Sequence, residues 1–175
     1  MENTLERGLE SRRLRAAVGI FFYLDQMAYE NISAMMEAYA EQAVSAAREM
    51  NITLDYKEES IERLEKILSQ LYDQRPVFLG KAAPGEEDPA QKQIDSMSRI
   101  WGGYFGEVMR RRWGGDWTLE TYPGTIAPVV TLEIDGAKIF PAMKIYRRLM
   151  NGASEDVAKF YQMVKDKLQK NRKPQ

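Results

Sequence analysis

The chain has 175 residues, of which 44% are hydrophobic and 29% are charged, values typical of a folded, water-soluble domain. It contains no cysteine and no histidine, which excludes disulfides, thiolate and Ser-His-Asp catalysis, and zinc sites that use Cys or His. The net charge of −1 conceals an asymmetry, because residues 1–100 carry 12 basic and 18 acidic side chains whereas residues 101–175 carry 13 and 8. We expect a single domain over 1–175 that holds no metal and no cofactor.

The first fifty residues contain no proline and read as helix, with residues 1–28 as a peripheral helix. The apolar run at 16–24 is shorter than the roughly 20 residues that a membrane span needs, so we expect no membrane insertion and a cytoplasmic protein. We expect a break in this helical stretch at residues 31–33. A heptad seam predicts packing on a helix of the same chain, with a second copy in a homodimer as the alternative. The seam consists of Tyr29, Ile32, Met36, Tyr39, Ala43, Ala46 and Met50.

A second helix is predicted to start at a capping box formed by Asp55 and Glu58. Its apolar stripe consists of Ile61, Leu64, Ile67, Leu68 and Leu71. Helical spacing places four acidic residues on its solvated face, namely Glu58, Glu59, Glu62 and Glu65. Residues 73–88 are rich in Pro, Gly and charge and read as a long loop.

The third helix is predicted over about 89–113, with Asp88 as its N-cap. Its apolar face consists of Ile94, Met97, Trp101, Tyr104, Phe105 and Val108. Ser98, Gly102 and Gly106 form a small-residue ridge at the edge of that face, which lets another backbone of this chain or of a partner come close. Each glycine costs about 1 kcal/mol of helix propensity, so the close packing must offset that loss. Gly103 lies nearly opposite the apolar face, where it would allow a bend or expose backbone to a ligand.

Gly114 and Gly115 end this helix, after which the period becomes alternating and predicts an antiparallel β-meander over about 116–140. Asp135 and Gly136 form a hairpin signal. A helix is then expected from Pro141, followed by a last helix capped by Ser154 and a frayed basic tail at 171–175. The apolar stripe of the last helix consists of Val157, Phe160, Tyr161, Val164 and Leu168. The predicted fold class is therefore α+β, with a helical N-terminal two-thirds, a small meander and two C-terminal helices.

The end of the third helix carries the residues best suited to a binding site. The candidates are Gly103, Tyr104, Gly106, Glu107, Arg110, Arg111 and Trp117. Arginines beside a tryptophan are able to grip a carboxylate or a phosphate. The structural alternative makes Tyr104 a core residue and Glu107 the surface ion-pair partner of Arg111, four residues on. No catalytic residue is assigned.

Several segments, in order, resemble an uncharacterised bacterial family of domains of unknown function. They are "LDYKEESIERLEKIL", "GGYFGEVMRRRWGGDW", "IFPAMKIYRRLMNG" and "VAKFYQMV" within residues 39–165. The matching positions are Asp55, Tyr56, Ser60, Gly103, Tyr104, Gly106, Glu107, Gly115, Trp117 and Pro141. Lys57 departs from the Ser or Thr of that pattern. The resemblance implies a cytoplasmic bacterial protein with a shared fold, and no established activity.

The leading functional hypothesis is a soluble, non-catalytic module that binds another protein. If the basic C-terminal part attracts that partner, the partner is acidic. This hypothesis depends on the missing His and Cys, the small-residue ridge, the ten methionines and the basic C-terminal part. The alternative is a protein, conceivably an enzyme, that binds a small molecule, a phosphate or a carboxylate around Tyr104, Glu107, Arg110 and Arg111. We do not expect nucleic-acid binding, because the isoelectric point is about 5.7 and no continuous basic stripe is present.

Overall fold

The computed structural model describes residues 30–74, 88–124 and 127–172. These ranges contain helices α1 (Ile32–Glu49), α2 (Ser60–Gln74) and α3 (Pro89–Trp113), strands β1 (Asp116–Glu120), β2 (Val129–Ile134) and β3 (Ala137–Ile139), and helices α4 (Pro141–Asn151) and α5 (Val157–Arg172). The predicted α+β class is confirmed, with helices before a small antiparallel sheet and two helices after it. The expected peripheral helix at 1–28, loop residues 75–87 and tail residues 173–175 lie outside the described residues. The single domain over 1–175 stays a prediction.

Helix α3 lies at the centre of the described fold, and every residue from Trp101 to Met109 is buried. A Cβ atom on Gly102 would lie 2.6 Å from Cα of Ala142, so helix α4 of the same chain packs on the ridge. A Cβ atom on Gly103 would lie 2.9 Å from the carbonyl oxygen of Met36 in α1. The expectation that Gly103 exposes backbone to a ligand is therefore wrong, because α1 covers it.

Helix α1 begins where the break was predicted, since the side chain of Asn31 accepts a hydrogen bond from the Ala34 amide at 2.9 Å. Its buried face packs on α3, which confirms an intramolecular seam. The buried residues are Met35, Met36, Tyr39, Ala40, Ala43 and Ala47. The predicted members Ile32, Ala46 and Met50 are only partly buried, because a straight helix drifts away from a strict heptad, and Tyr29 lies outside the described residues.

Two predictions about α2 are wrong. The helix begins at Ser60 rather than at a capping box, because Asp55 accepts from the Lys57 amide at 3.3 Å ahead of the helix and caps none of its amides. Asp55 also forms an ion pair with Arg63 at 2.7 Å. Glu65 is not on the solvated face, since its side chain is only 15% exposed. It accepts hydrogen bonds from Arg148 Nε at 2.8 Å and from the Val157 amide at 2.9 Å, so it joins α2 to α4 and to the start of α5. The predicted apolar stripe of α2 is buried, except that Leu71 is partly exposed.

The sheet has the order β1-β2-β3 with antiparallel pairing, and it covers the end of α3. Trp117 is paired with Leu132 and Leu119 with Val130, so these four residues lie on one face of the sheet. The hairpin at Asp135 and Gly136 is confirmed by positive φ angles of 50° and 75°. Strand β2 is buried along nearly all its length.

Helix α5 starts later and ends later than predicted. Ser154 lies in a 3₁₀ turn at Gly152–Glu155 and donates to the Asn151 carbonyl, while Asp156 accepts from the Lys159 amide. Arg172 is helical rather than frayed, because its guanidinium binds Asp135 at 2.6 Å and the Trp113 carbonyl at 2.8 Å. The apolar stripe of α5 is buried as predicted, with Phe160 partly so.

Candidate functional site

Tyr104 is fully buried in the middle of α3, as its apolar spacing predicts. Its hydroxyl donates to Ser60 Oγ at 2.6 Å and accepts from the backbone N–H of Tyr56 at 3.0 Å. That second bond holds Tyr56 at a φ of 60°, a conformation that non-glycine residues seldom adopt. Burial raises the pKa of Tyr104, against the lowering effect of the Ser60 hydrogen bond. Tyr104 therefore anchors the segment before α2 with a neutral hydroxyl.

Glu107 is also fully buried, which the sequence did not indicate. Its carboxylate accepts from Arg110 Nε at 2.7 Å, from Trp117 Nε1 at 2.8 Å and from Arg111 Nε at 3.4 Å. Burial alone would raise the pKa of Glu107, but the hydrogen bonds from Arg110 and Trp117 outweigh burial and lower it. The buried group is therefore an ionised carboxylate that joins the end of α3 to β1.

The two arginines lie where this network meets solvent. Arg110 is shared between Glu107 and Glu37, which lies 2.6 Å from its Nη2 atom. The guanidinium of Arg111 lies over the ring of Tyr56, 3.5 Å from the ring centroid, and its side chain is 47% exposed. Its two terminal nitrogens have no partner among the described residues, so Arg111 is held on one edge and open on the other.

Of the predicted site residues, the two glycines serve packing. Helix α1 packs against Gly103, and a Cβ atom on Gly106 would lie 2.6 Å from Cζ2 of Trp117. The structure brings Glu107, Arg110, Arg111 and Trp117 into one hydrogen-bonded cluster. Tyr104 bonds elsewhere, to Ser60 and Tyr56. Since Tyr104 and Glu107 are closed to solvent, a ligand here would meet the arginines first, and binding at this cluster stays a prediction.

A second surface, on α5, was not singled out from the sequence. We call it the lysine face, defined as Lys159, Gln162, Met163, Asp166, Lys167 and Lys170. Met163 is 58% exposed, whereas the buried methionines include Met35, Met36, Met109 and Met143. Asp166 accepts from Gln162 at 2.8 Å, and none of the three ammonium groups has an acidic partner among the described residues. The helical spacing of 159, 163, 167 and 170 is the signal that would have found this face.

Two features of the described residues bear on the expectations about a membrane and a metal. None of their helices combines the length and the apolar character that a bilayer crossing requires. They also contain no group of three or more side chains of the metal-ligating types close enough to share an ion.

Comparisons with protein-family models, with curated proteins and with solved structures give no match to this chain. The resemblance to a bacterial family therefore stays a prediction. Any functional conclusion must come from the surfaces of the molecule itself.

Proposed function

We propose that this chain is a non-catalytic protein-interaction module of the bacterial cytoplasm, and that it binds an acidic partner protein through the lysine face of α5. The observation that carries the proposal is the exposure of Met163, at 58%, among three lysines with no acidic partner in the described part of the chain. The small-residue ridge no longer supports it, because Gly102 and Gly106 are covered by Ala142 and Trp117.

The lysine face combines the two contributions that a protein contact needs. Met163 supplies a flexible apolar side chain that adapts to an irregular surface. Lys159, Lys167 and Lys170 add positive charge that steers an acidic partner and sets the orientation of the complex. Because these lysines form no ion pair among the described residues, no ion pair seen there has to break when a partner binds.

The proposal is tested by affinity capture from native lysate with two charge-reversal variants. The first carries Lys159→Glu, Lys167→Glu and Lys170→Glu. The matched control carries Arg48→Glu, Lys66→Glu and Arg112→Glu, which makes the same charge change at exposed positions outside the lysine face. We expect an acidic partner to be retained by the wild type and the control, lost by the first variant, and released by salt. Equal retention by both variants, or no retained partner at all, would contradict the proposal.

A second candidate function is the binding of a small carboxylate or phosphate at Arg111. It is favoured by the stacking of the Arg111 guanidinium on Tyr56, which orients its two free nitrogens for a bidentate contact. Glu107 and Glu37 lie nearby and oppose an anion, which is why this candidate comes second. A thermal-shift screen would compare wild type with Arg111→Lys, which keeps the charge but loses the planar fork. Stabilisation of the wild type alone supports this candidate, and no stabilisation at millimolar ligand contradicts it.

A further inference from the structure

A groove of about 600 Å³ lies on the exposed side of α1, next to Ile100 of α3. Ala46 and Ile100 line it and are partly buried against the core. Glu41 and Glu49 belong to the same lining, and neither carboxylate has a hydrogen-bond or ion-pair partner among the described residues. Arg48, the one basic residue of α1, is not part of the lining. The groove therefore combines apolar side chains with two carboxylates that the described part of the chain leaves unpaired.

The charges of this groove match those of the lysine face in sign and in spacing. On α1 we define the glutamate row as Glu41, Ser45 and Glu49. The lysine face contains a row with the same four-residue steps, which we define as the lysine row, Lys159, Met163 and Lys167. Residues four apart lie on one side of a helix, so the two charges of each row are separated by eight residues, or about 12 Å. The central residues differ in size, because the long side chain of Met163 is 58% exposed whereas Ser45 is small.

The two rows are complementary when their helices lie side by side at the usual axial separation of about 8–10 Å. Each ammonium group of the lysine row then faces a carboxylate, and the methionine side chain lies over the small serine, against the apolar lining of the groove. Because each row carries the same charge at both ends, this pairing is possible in either helix direction. A partner of the lysine face needs unpaired acidic groups at this spacing, and α1 of a second copy supplies them.

We propose that the lysine face of one copy of this chain docks on the α1 groove of a second copy, with the lysine row opposite the glutamate row. This inference rests on the proposed function, because it identifies the acidic partner of the lysine face as another molecule of the same protein. The contact joins two different surfaces, so each copy brings both halves of it.

Sedimentation analysis of the purified full chain at low salt tests this contact with two charge-reversal variants. The lysine variant carries Lys159→Glu and Lys167→Glu, and the glutamate variant carries Glu41→Lys and Glu49→Lys. The matched control carries Glu59→Lys and Glu62→Lys, at exposed positions of α2 outside both surfaces. Because exposed ion pairs contribute little each, the measurement extends to about 0.5 mM protein. We expect the wild type and the control to self-associate and salt to dissociate them. Each reversal variant brings like charges together and should weaken self-association by more than about tenfold.

Mixing the two reversal variants provides the sharpest measurement. The lysine variant keeps the glutamate row and the glutamate variant keeps the lysine row, so the native contact can form between unlike copies in the mixture. We expect the equimolar mixture to associate more than about tenfold more tightly than either variant alone. Circular dichroism of each variant shows that its fold is intact.

The proposal is overturned if the wild type remains monomeric, if the α2 control is weakened as much as the reversal variants, or if the mixture associates no better than its components. A monomeric wild type that still captures an acidic protein through its lysine face would overturn this inference and leave the proposed function standing. If the lysine face also captures no acidic protein, the proposed function fails as well.

Discussion

Replacing Gly106 by alanine tests most sharply why α3 contains glycines. The added methyl carbon would lie 2.6 Å from Cζ2 of Trp117 and 3.1 Å from Cγ of Pro141, whereas carbon atoms in contact are separated by about 3.5–4.0 Å. Cη2 of Trp117 would lie nearer still, so the indole has to move by more than about 1 Å. Such a shift strains or breaks its 2.8 Å hydrogen bond to Glu107.

The expected size of this effect follows from three contributions. Overpacking a core costs about 1–3 kcal/mol. The hydrogen bond to a charged group contributes about 1.5–3 kcal/mol. Alanine in place of glycine restores about 1 kcal/mol of helix propensity. We therefore expect Gly106→Ala to lower the free energy of unfolding by about 1.5–5 kcal/mol.

Urea unfolding followed by circular dichroism measures this change, and a second background supplies the control. In Trp117→Leu the indole is absent and only the 3.1 Å contact with Cγ of Pro141 remains, so adding Gly106→Ala should cost clearly less than it does in the wild type. If Gly106→Ala were stabilising in the wild type, the explanation of the glycine by close packing would be refuted. The same conclusion would follow if its effect were unchanged in the Trp117→Leu background.

Three further predictions concern buried polar groups. The pKa of Glu107 is lowered from 4.5, so its carboxylate contributes stability above pH 4.5 that is lost as the pH falls through the lower folded-state pKa. Urea unfolding measured across pH should therefore show a smaller loss of stability in acid for Glu107→Gln than for the wild type. An equal loss of stability in acid contradicts this prediction. Tyr104→Phe leaves the Tyr56 N–H unpaired and should cost about 1–3 kcal/mol in urea unfolding, whereas wild-type stability would show that this anchor is dispensable. Glu65→Ala removes the carboxylate that pairs with Arg148, whose side chain is 2% exposed. Thermal unfolding should show that the free energy of unfolding falls by about 3–5 kcal/mol. The control Glu62→Ala, at an exposed position, should lower it by less than about 0.5 kcal/mol.

Features encoded by local spacing were predictable. The alternation after Gly115 and the Asp135-Gly136 signal predicted the meander, because hairpin turns depend on two residues that accept positive φ. Asp88 and Pro89 predicted the start of α3, where the Asp88 side chain accepts from the Ala90 amide at 2.9 Å.

Features that depend on distant residues were not predictable. Glu65 has the spacing of a surface glutamate, yet its partner Arg148 lies 83 residues further along the chain. The helical wheel placed Gly103 away from the apolar face of α3. The face opposite the predicted one is buried as well, because α1 packs there.

The candidate site shows the same division. Glu107, Arg110 and Arg111 lie on adjacent turns of one helix, so their proximity followed from the sequence. The contact between Tyr56 and Arg111 was not predictable, since the ring of Tyr56 reaches Arg111 from the segment between α1 and α2. The burial of Glu107 was not predictable either, because the indole of Trp117, which donates to its carboxylate, comes from β1.

The most direct test of the central claim places a photo-crosslinking amino acid at Met163, the exposed centre of the lysine face. A matched variant carries the same amino acid at Leu119, which is 36% exposed on β1. On irradiation in living cells, we predict one discrete cross-linked product, with an acidic protein, at position 163 and none at 119. No product at 163, or the same products at both positions, would contradict the assignment of the lysine face as the contact surface.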